Sequence, residues 1–374
     1  MASRPYTSVQ SIPPDPQNLA TRTGLWLQGQ GPEADVVISS RVRLARNLRG
    51  LPFRSTLSSE RAMEVPNRLK SELLDLALEG ETTWVSLGDT NEVLRRILFE
   101  RSLATRELVS GDGAGDLVGK AVAFGAQEGL AALIGEEDHL RLQCLTSGLA
   151  LEEALERVVE LDRQLESRVS YATRAGLGYL TACPSNVGTG MRASVMLHLP
   201  ALGAVRSELQ KVFHAAQHTG LAVRGLHGEG SKAIGDLYQM SNQVTLGASE
   251  PELIARLLVV VRGVVRTERR MRQSLLDARA SALNDRVARG MVALRSSRAL
   301  STDEALRHLS VIRFGHHVGL VQGLSTHLLN RLALQIQQGH LHALQRGGQA
   351  EVGDRSERSR LRAALLRSEF AGRG

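Results

Sequence analysis

The chain has 374 residues, 42% of them apolar, with a formal net charge of +7 and a sequence pI near 10.0. That length supports a sizeable core and one or two domains, and the two cysteines, Cys144 and Cys183, exclude a disulfide scaffold and fit a reducing interior. Aromatic residues make up only 3%, too few for base-stacking platforms, so nucleic acid is not the expected partner despite the basic balance.

The N-terminus lacks the apolar core of a signal peptide, and no run reaches the roughly 18 apolar residues of a membrane span. The reading is a cytoplasmic protein with no membrane contact. Residues 1–25 are rich in Pro, Ser, Thr and Gln and read as a flexible arm. Asp35-Val-Val-Ile-Ser then reads as a strand feeding Ser39-Ser40-Arg41-Val42-Arg43-Leu44-Ala45-Arg46-Asn47. With side chains alternating, Arg41 and Arg43 share one face while Val42 and Leu44 turn to the core. Two such guanidiniums repel unless an anion lies between them.

Ser59 to Leu78 reads as an amphipathic helix broken at Pro66. Glu92 to Leu108 mixes apolar residues with arginines and gives no clear period. Leu130 to Ile134 is a short strand running into Gly135-Glu136-Glu137-Asp138-His139-Leu140-Arg141, three acids that need cations nearby. His139 reads as structural. Leu151, Leu155, Val158, Leu161 and Leu165 mark a core-facing helix. Strands follow at Gly178–Cys183, Ser194–Leu199, Leu221–His227 and Leu237–Leu246, with a helix near Val205–Ala216. Interleaving from about 35 to 247 indicates an α/β or α+β domain. Beyond Pro251 only helical periodicity remains, opened by capping-box pairs Ser249/Glu252 and Ser301/Glu304. The expected organisation is an arm over 1–25, a catalytic domain over 26–249 and a helical domain over 250–374 with a basic tail.

Two glycine-rich turns flank the strand–helix–strand unit between Thr181 and Glu229. One carries Cys183, Asn186 and Arg192; the other carries Arg224, Glu229 and Ser231. A guanidinium beside a backbone-rich turn suits phosphate, and a carboxylate near a second guanidinium suits a cationic substrate beside it. Ser231-Lys232 reverses the Lys-Ser/Thr order of a P-loop, which excludes that chemistry. His308, His316 and His317 lack a frame of cysteines or carboxylates for a metal.

In this order, Arg41-x-Arg43, Glu-Glu-Asp-His-Leu-Arg141, Cys-Pro-Ser-Asn-x-Gly-Thr-Gly-x-Arg192 and Arg224-x4-Glu229 resemble the guanidino phosphotransferases, the creatine and arginine kinase family. The resemblance runs from about Leu25 to the C-terminus. Few residues precede Arg41 and a long helical part follows the catalytic motifs, which is most similar to the bacterial protein arginine kinases. The resemblance implies an α+β, phosphagen-kinase-like catalytic domain with a sheet flanked by helices, followed by a smaller all-helical domain.

It also implies transfer of the γ-phosphoryl of ATP to arginine side chains of proteins. Glu137 and Glu229 would orient and deprotonate the guanidinium, with Cys183 beside it. Ser40, Arg41, Arg43, Arg141, Arg192 and Arg224 would hold the nucleotide, and Mg²⁺ would ride mainly on its phosphates. The implied setting is a homodimer, a zinc-finger activator and Clp-type proteolysis under stress. The chain departs from the family pattern at Gly135, usually Asn, and at Ser102, usually a nucleotide-contacting His. A phosphoarginine-sensing motif maps onto Arg358, Ser359, Arg362 and Ala363, where Ser359 replaces an Asp and predicts weak sensing. A kinase of free arginine and a regulator without turnover are the alternative readings.

Overall fold

A computed structural model describes residues 13–111, 114–225, 234–346 and 354–372. In chain order these form α1 (Pro16–Thr21), β1 (Val37–Arg46), α2 (Ser59–Ala62), α3 (Glu64–Asp75), β2 (Thr82–Ser86), α4 (Glu92–Glu100), α5 (Arg106–Val109), β3 (Ala121–Gly125), β4 (Leu130–Ile134) and β5 (Leu140–Ser147). Next come α6 (Leu151–Glu166), β6 (Thr173–Arg174), β7 (Gly178–Tyr179), β8 (Met191–His198), α7 (Pro200–Ala204), α8 (Arg206–His218), β9 (Leu221–Gly225) and β10 (Leu237–Asn242). The described chain closes with α9 (Glu250–Ser296), α10 (Thr302–His317), α11 (Thr326–Gln335), α12 (Gln338–Arg346) and α13 (Arg355–Phe370).

Eight strands form one sheet in the order β2-β3-β4-β5-β1-β8-β10-β9, with antiparallel neighbours throughout. The fold is α+β. Strand β1 is central because both of its faces have work: Val42 and Leu44 are buried, while Arg41 and Arg43 turn the other way. On the apolar face lie the leucine stripe of α6, Val65, Leu69 and Leu73 of α3, and Leu257 and Val261 of α9. Over β2–β4 the opposite face is covered by Val93, Leu94 and Ile97 of α4, with Leu19 of α1 and Ala343 of α12. The later strands leave that second face to the arginines.

Three expectations change. The arm is not loose throughout: Leu19 and Ala20 of α1 are buried against α4 and α12. The helical break falls at Met63, so Pro66 sits in the first turn of α3, where its missing N–H costs no helical bond. The expected division at 249/250 is no break in packing. Helix α9 begins there, at Glu250, yet its first half fills the sheet's core and only its second half, from Val287, joins a separate core with α10, α11 and α13. The helix departs from helical geometry at Arg279, φ −145° and ψ 32°, between the two. Both expected capping boxes are present, at Ser249/Glu252 and Ser301/Glu304.

Candidate active site

Alternation and register assemble the arginines. Arg192 of β8 stands opposite Arg43, and Arg141 of β5 stands opposite Ala45, two residues further along the same face. On β9, Arg224 pairs with Gln239 of β10, which pairs with Met196, four residues from Arg192. Arg41, Arg43, Arg141, Arg192 and Arg224 therefore share one sheet face. Four of them, all but Arg41, line a cavity of about 620 Å³ whose other walls include Glu137, Cys183 and Asn186.

The cluster is held against its own repulsion. Burial, then Arg141 and Arg192, push the Arg41 guanidinium down to about 10. Burial and the neighbouring arginines hold Arg43 well below its ordinary value. Glu136 opposes both shifts and makes an ion pair with Arg141. The Nε of Arg43 has no hydrogen-bond partner among the described residues. A polyanion would satisfy that donor and relieve the repulsion.

Glu137 sits at the rim, 49% exposed, with an oxygen 3.8 Å from Arg141. Burial, then Asp138, raise its pKa; Arg141 opposes them. The third acid is a brace. Asp138 Oδ1 accepts from Ala182 N and Asn47 Nδ2, each at 2.7 Å, which ties the Cys183 turn to the end of β1. His139 is structural, as its sequence context suggests. Its Nδ1 accepts from Leu48 N, so Nε2 carries the proton toward Pro52 O at 2.8 Å. Cys183 is half-buried, with its Sγ 3.0 Å from Ser185 Oγ.

Supporting residues that sequence reasoning missed hold the turn. Arg46, 2% exposed, meets Asp162 of α6 at 2.6 Å, donates to Thr189 O and lies 3.5 Å from the Tyr179 ring centroid. Gly190 fits only as glycine, because its φ is +66° and a Cβ would lie 2.6 Å from Ala45 O. Asn242 bonds Ala193 N and Met191 O, and Thr245 Oγ1 meets Val187 O at 2.7 Å. The sequence signals were the run Ser39–Asn47, which contains Arg46, and the Gly-Thr-Gly of the Arg192 motif, which contains Gly190.

The two departures are largely conformational. Gly135 has φ +75° and Ser102 φ +60°, left-handed backbone that Asn and His enter more readily than most side chains. Ser102 lies on the wall of a second cavity of about 470 Å³ beside Arg41 and Arg43.

Two expected assignments are corrected and one is untouched. Ser40 does not reach a nucleotide: it is fully buried, its Oγ donating to Gly148 O and accepting from Ala150 N. Arg362 is not an open phosphate contact either. It is 3% exposed and donates to Ile336 O and Leu300 O, each at 2.8 Å, while Ala363 is buried in the helical core and Ser359 bonds Arg355 O. Arg358 stands one turn before Arg362 on the same helix and is half-buried. Glu229, with Ser231 and Lys232, lies outside the described residues.

A half-buried face of arginines beside a carboxylate and a thiol is an arrangement that suits a phosphate group next to a cation. Residues 64–271 match the ATP:guanido phosphotransferase C-terminal catalytic domain, and residues 280–373 match the protein-arginine kinase McsB C-terminal domain. The protein-arginine kinase of Moorella thermoacetica is 41% identical over 357 residues, covering 94% of this chain and 98% of that protein. That of Pelotomaculum thermopropionicum is 40% identical over 358 residues, covering 92% and 95%. Among solved structures, lombricine kinase has a TM-score of 0.56 at 25% identity, covering 73% of this chain and 74% of that one. The duplicated taurocyamine kinase from Schistosoma mansoni with bound transition state analog components has a TM-score of 0.56 at 25% identity, covering 77% and 41%. The chain belongs to the ATP:guanido phosphotransferase family, in its protein-arginine kinase branch, and is an enzyme of that class.

Proposed function

We propose that this site transfers the γ-phosphoryl of ATP to the guanidinium of an arginine side chain in a protein. The observation that carries the reading is the sheet face of five arginines, four of which meet Glu137 and Cys183 around one cavity. Arg41, Arg43, Arg141, Arg192 and Arg224 hold the phosphates, since phosphoryl transfer rests mainly on positioning and electrostatics. Glu137 hydrogen-bonds the acceptor's planar fork and takes the proton it loses as nitrogen attacks the γ-phosphorus. The bond from that phosphorus to the bridging β,γ-oxygen breaks, and ADP leaves. The raised pKa of Glu137 suits a base. Cys183 lies beside the acceptor, and Glu229 is the second carboxylate of this reading.

Among the described residues no group of three His, Cys, Asp or Glu could hold a metal. The cavity is lined mainly by guanidiniums on its charged side, so Mg²⁺ would be held by the nucleotide's phosphates and water rather than by side chains, and would supply charge neutralisation there. No helix among the described residues is long and apolar enough to cross a membrane. Family membership is what supports a cytoplasmic homodimer with a zinc-finger activator, serving Clp-type proteolysis under stress.

Mass spectrometry of a protein substrate incubated with Mg-ATP, under conditions that preserve acid-labile N–P bonds, tests the reaction. Phosphoarginine on the protein is expected. Turnover of free arginine with none on protein would replace this reading with a small-guanidine kinase.

A further inference from the structure

The 470 Å³ cavity has walls from both halves of the chain. The sheet contributes Arg41, Arg43 and Met196; α10 and α11 contribute Leu309, Arg313 and Ala333. It shares Arg43, Thr105 and Glu107 with the arginine cavity, so one ligand can reach into both. Its lining mixes apolar side chains, among them Leu309, Leu329 and Leu334, with polar ones and with Glu100 and Glu107, which suits a ring system bearing polar groups more than a second polyphosphate.

Arg313 is the anomaly in that lining. It is 5% exposed, and only Nη1 is engaged, on Asn330 Oδ1. Its Nε and Nη2, the two donors along one edge of the fork, have no hydrogen-bond partner among the described residues. Among the described residues no carboxylate forms an ion pair with it; burial, then Arg272, push it down to about 10, with Asp35 opposing. A buried guanidinium edge without acceptors is costly, and a ligand carrying two adjacent acceptors removes that cost.

We infer that Arg313 is a nucleotide-binding residue supplied by the helical C-terminal part, and that the cavity between it and Arg43 receives the base and ribose of the nucleotide whose phosphates lie on the five arginines. The inference rests on the ATP reading above. It makes the C-terminal helices a wall of the nucleotide site rather than an appendage to it.

The test measures binding of ATP and of inorganic tripolyphosphate to the full-length protein by calorimetry. Tripolyphosphate engages the arginine face alone. Arg313→Met keeps volume and removes the buried charge, so its thermal midpoint should not fall. It should weaken ATP by about tenfold or more, as loss of charge-assisted bonds does, and leave tripolyphosphate unchanged. Ala333→Phe leaves Arg313 in place and fills the cavity; it should give the same split, and it decides the matter if Arg313→Met does not fold. Unchanged ATP affinity in the folded variants overturns the inference. Equal loss of both probes in Arg313→Met would move that guanidinium onto the phosphates and also overturn it. Arg43→Ala separates the two readings: if it leaves both probes unchanged, the phosphate assignment fails instead.

Discussion

Glu137 is half-exposed at the rim, whereas Asp138 beside it is 1% exposed and spent on bracing the Cys183 turn. One carboxylate is open to solvent and its neighbour is not, a difference that adjacent acids in a sequence do not display. Glu137→Gln should therefore keep the fold and lose about 10²–10⁴-fold in turnover, the usual range for a general base. Activity should also fall as pH drops through a pKa above the ordinary carboxylate value, because the base must be deprotonated. The pH profile of kcat/KM checks this: an acid limb unchanged in Glu137→Gln would remove Glu137 from the proton transfer. Alternation made Arg41 and Arg43 legible as a pair in the sequence. The same alternation puts Ser40 on the core face with Val42 and Leu44; what it could not show are the two hydrogen bonds that occupy its hydroxyl, which come from residues over a hundred positions away. Arg46 was hidden for the same reason, its partners Asp162 and Thr189 being set by tertiary packing.

At the scale of elements, α9 is where pattern and packing part. Composition turns helical at Pro251, so the sequence shows a boundary there. Yet Leu257 and Val261 are fully buried in the sheet's core. A helix can change the core it serves without changing its period, and only the non-helical residue Arg279 marks the change. A chain ending at Gly247 loses Leu253, Leu257, Val261 and Val265, each worth about 1.5–3 kcal/mol of burial. That sum rivals the whole stability of a domain, about 5–15 kcal/mol. The shortened chain should show no cooperative thermal unfolding. A sharp transition in it would mean that α9 is dispensable to the catalytic core.

Across the whole molecule, the sheet and the C-terminal helices meet through buried neutral histidines. His198 Nε2 contacts Ser310 Oγ at 2.9 Å, and that hydroxyl donates to Asp236. Burial, then Arg313 and Arg272, hold His198 well below its ordinary value. Burial, Arg313 and His316 take His317 down to about 3, with Asp35 opposing. These histidines bind protons in the unfolded chain first, so the unfolded state gains protons as pH falls below 6.5. Stability should therefore drop between about pH 7 and pH 5, and His317→Gln should soften the drop. Thermal midpoints across that range would show it; a flat profile would mean that the junction hydrates and lets the histidines titrate normally.

The central place of β1 has a consequence during synthesis. Ser40 pairs with Thr146 on one side and Val195 on the other, so the strand leaves the ribosome long before either partner. At roughly 5–20 residues per second, the second partner follows only after roughly 10–30 s. For that interval β1 is an unpaired ribbon with valine and leucine on one side, the kind of segment that pairs with other chains. Arg41, Arg43 and Arg46 are spaced along it, and like charges along an open edge discourage a second copy from docking. The guanidiniums that crowd one face of the finished sheet are thus expected to hinder edge-to-edge docking of the nascent strand as well.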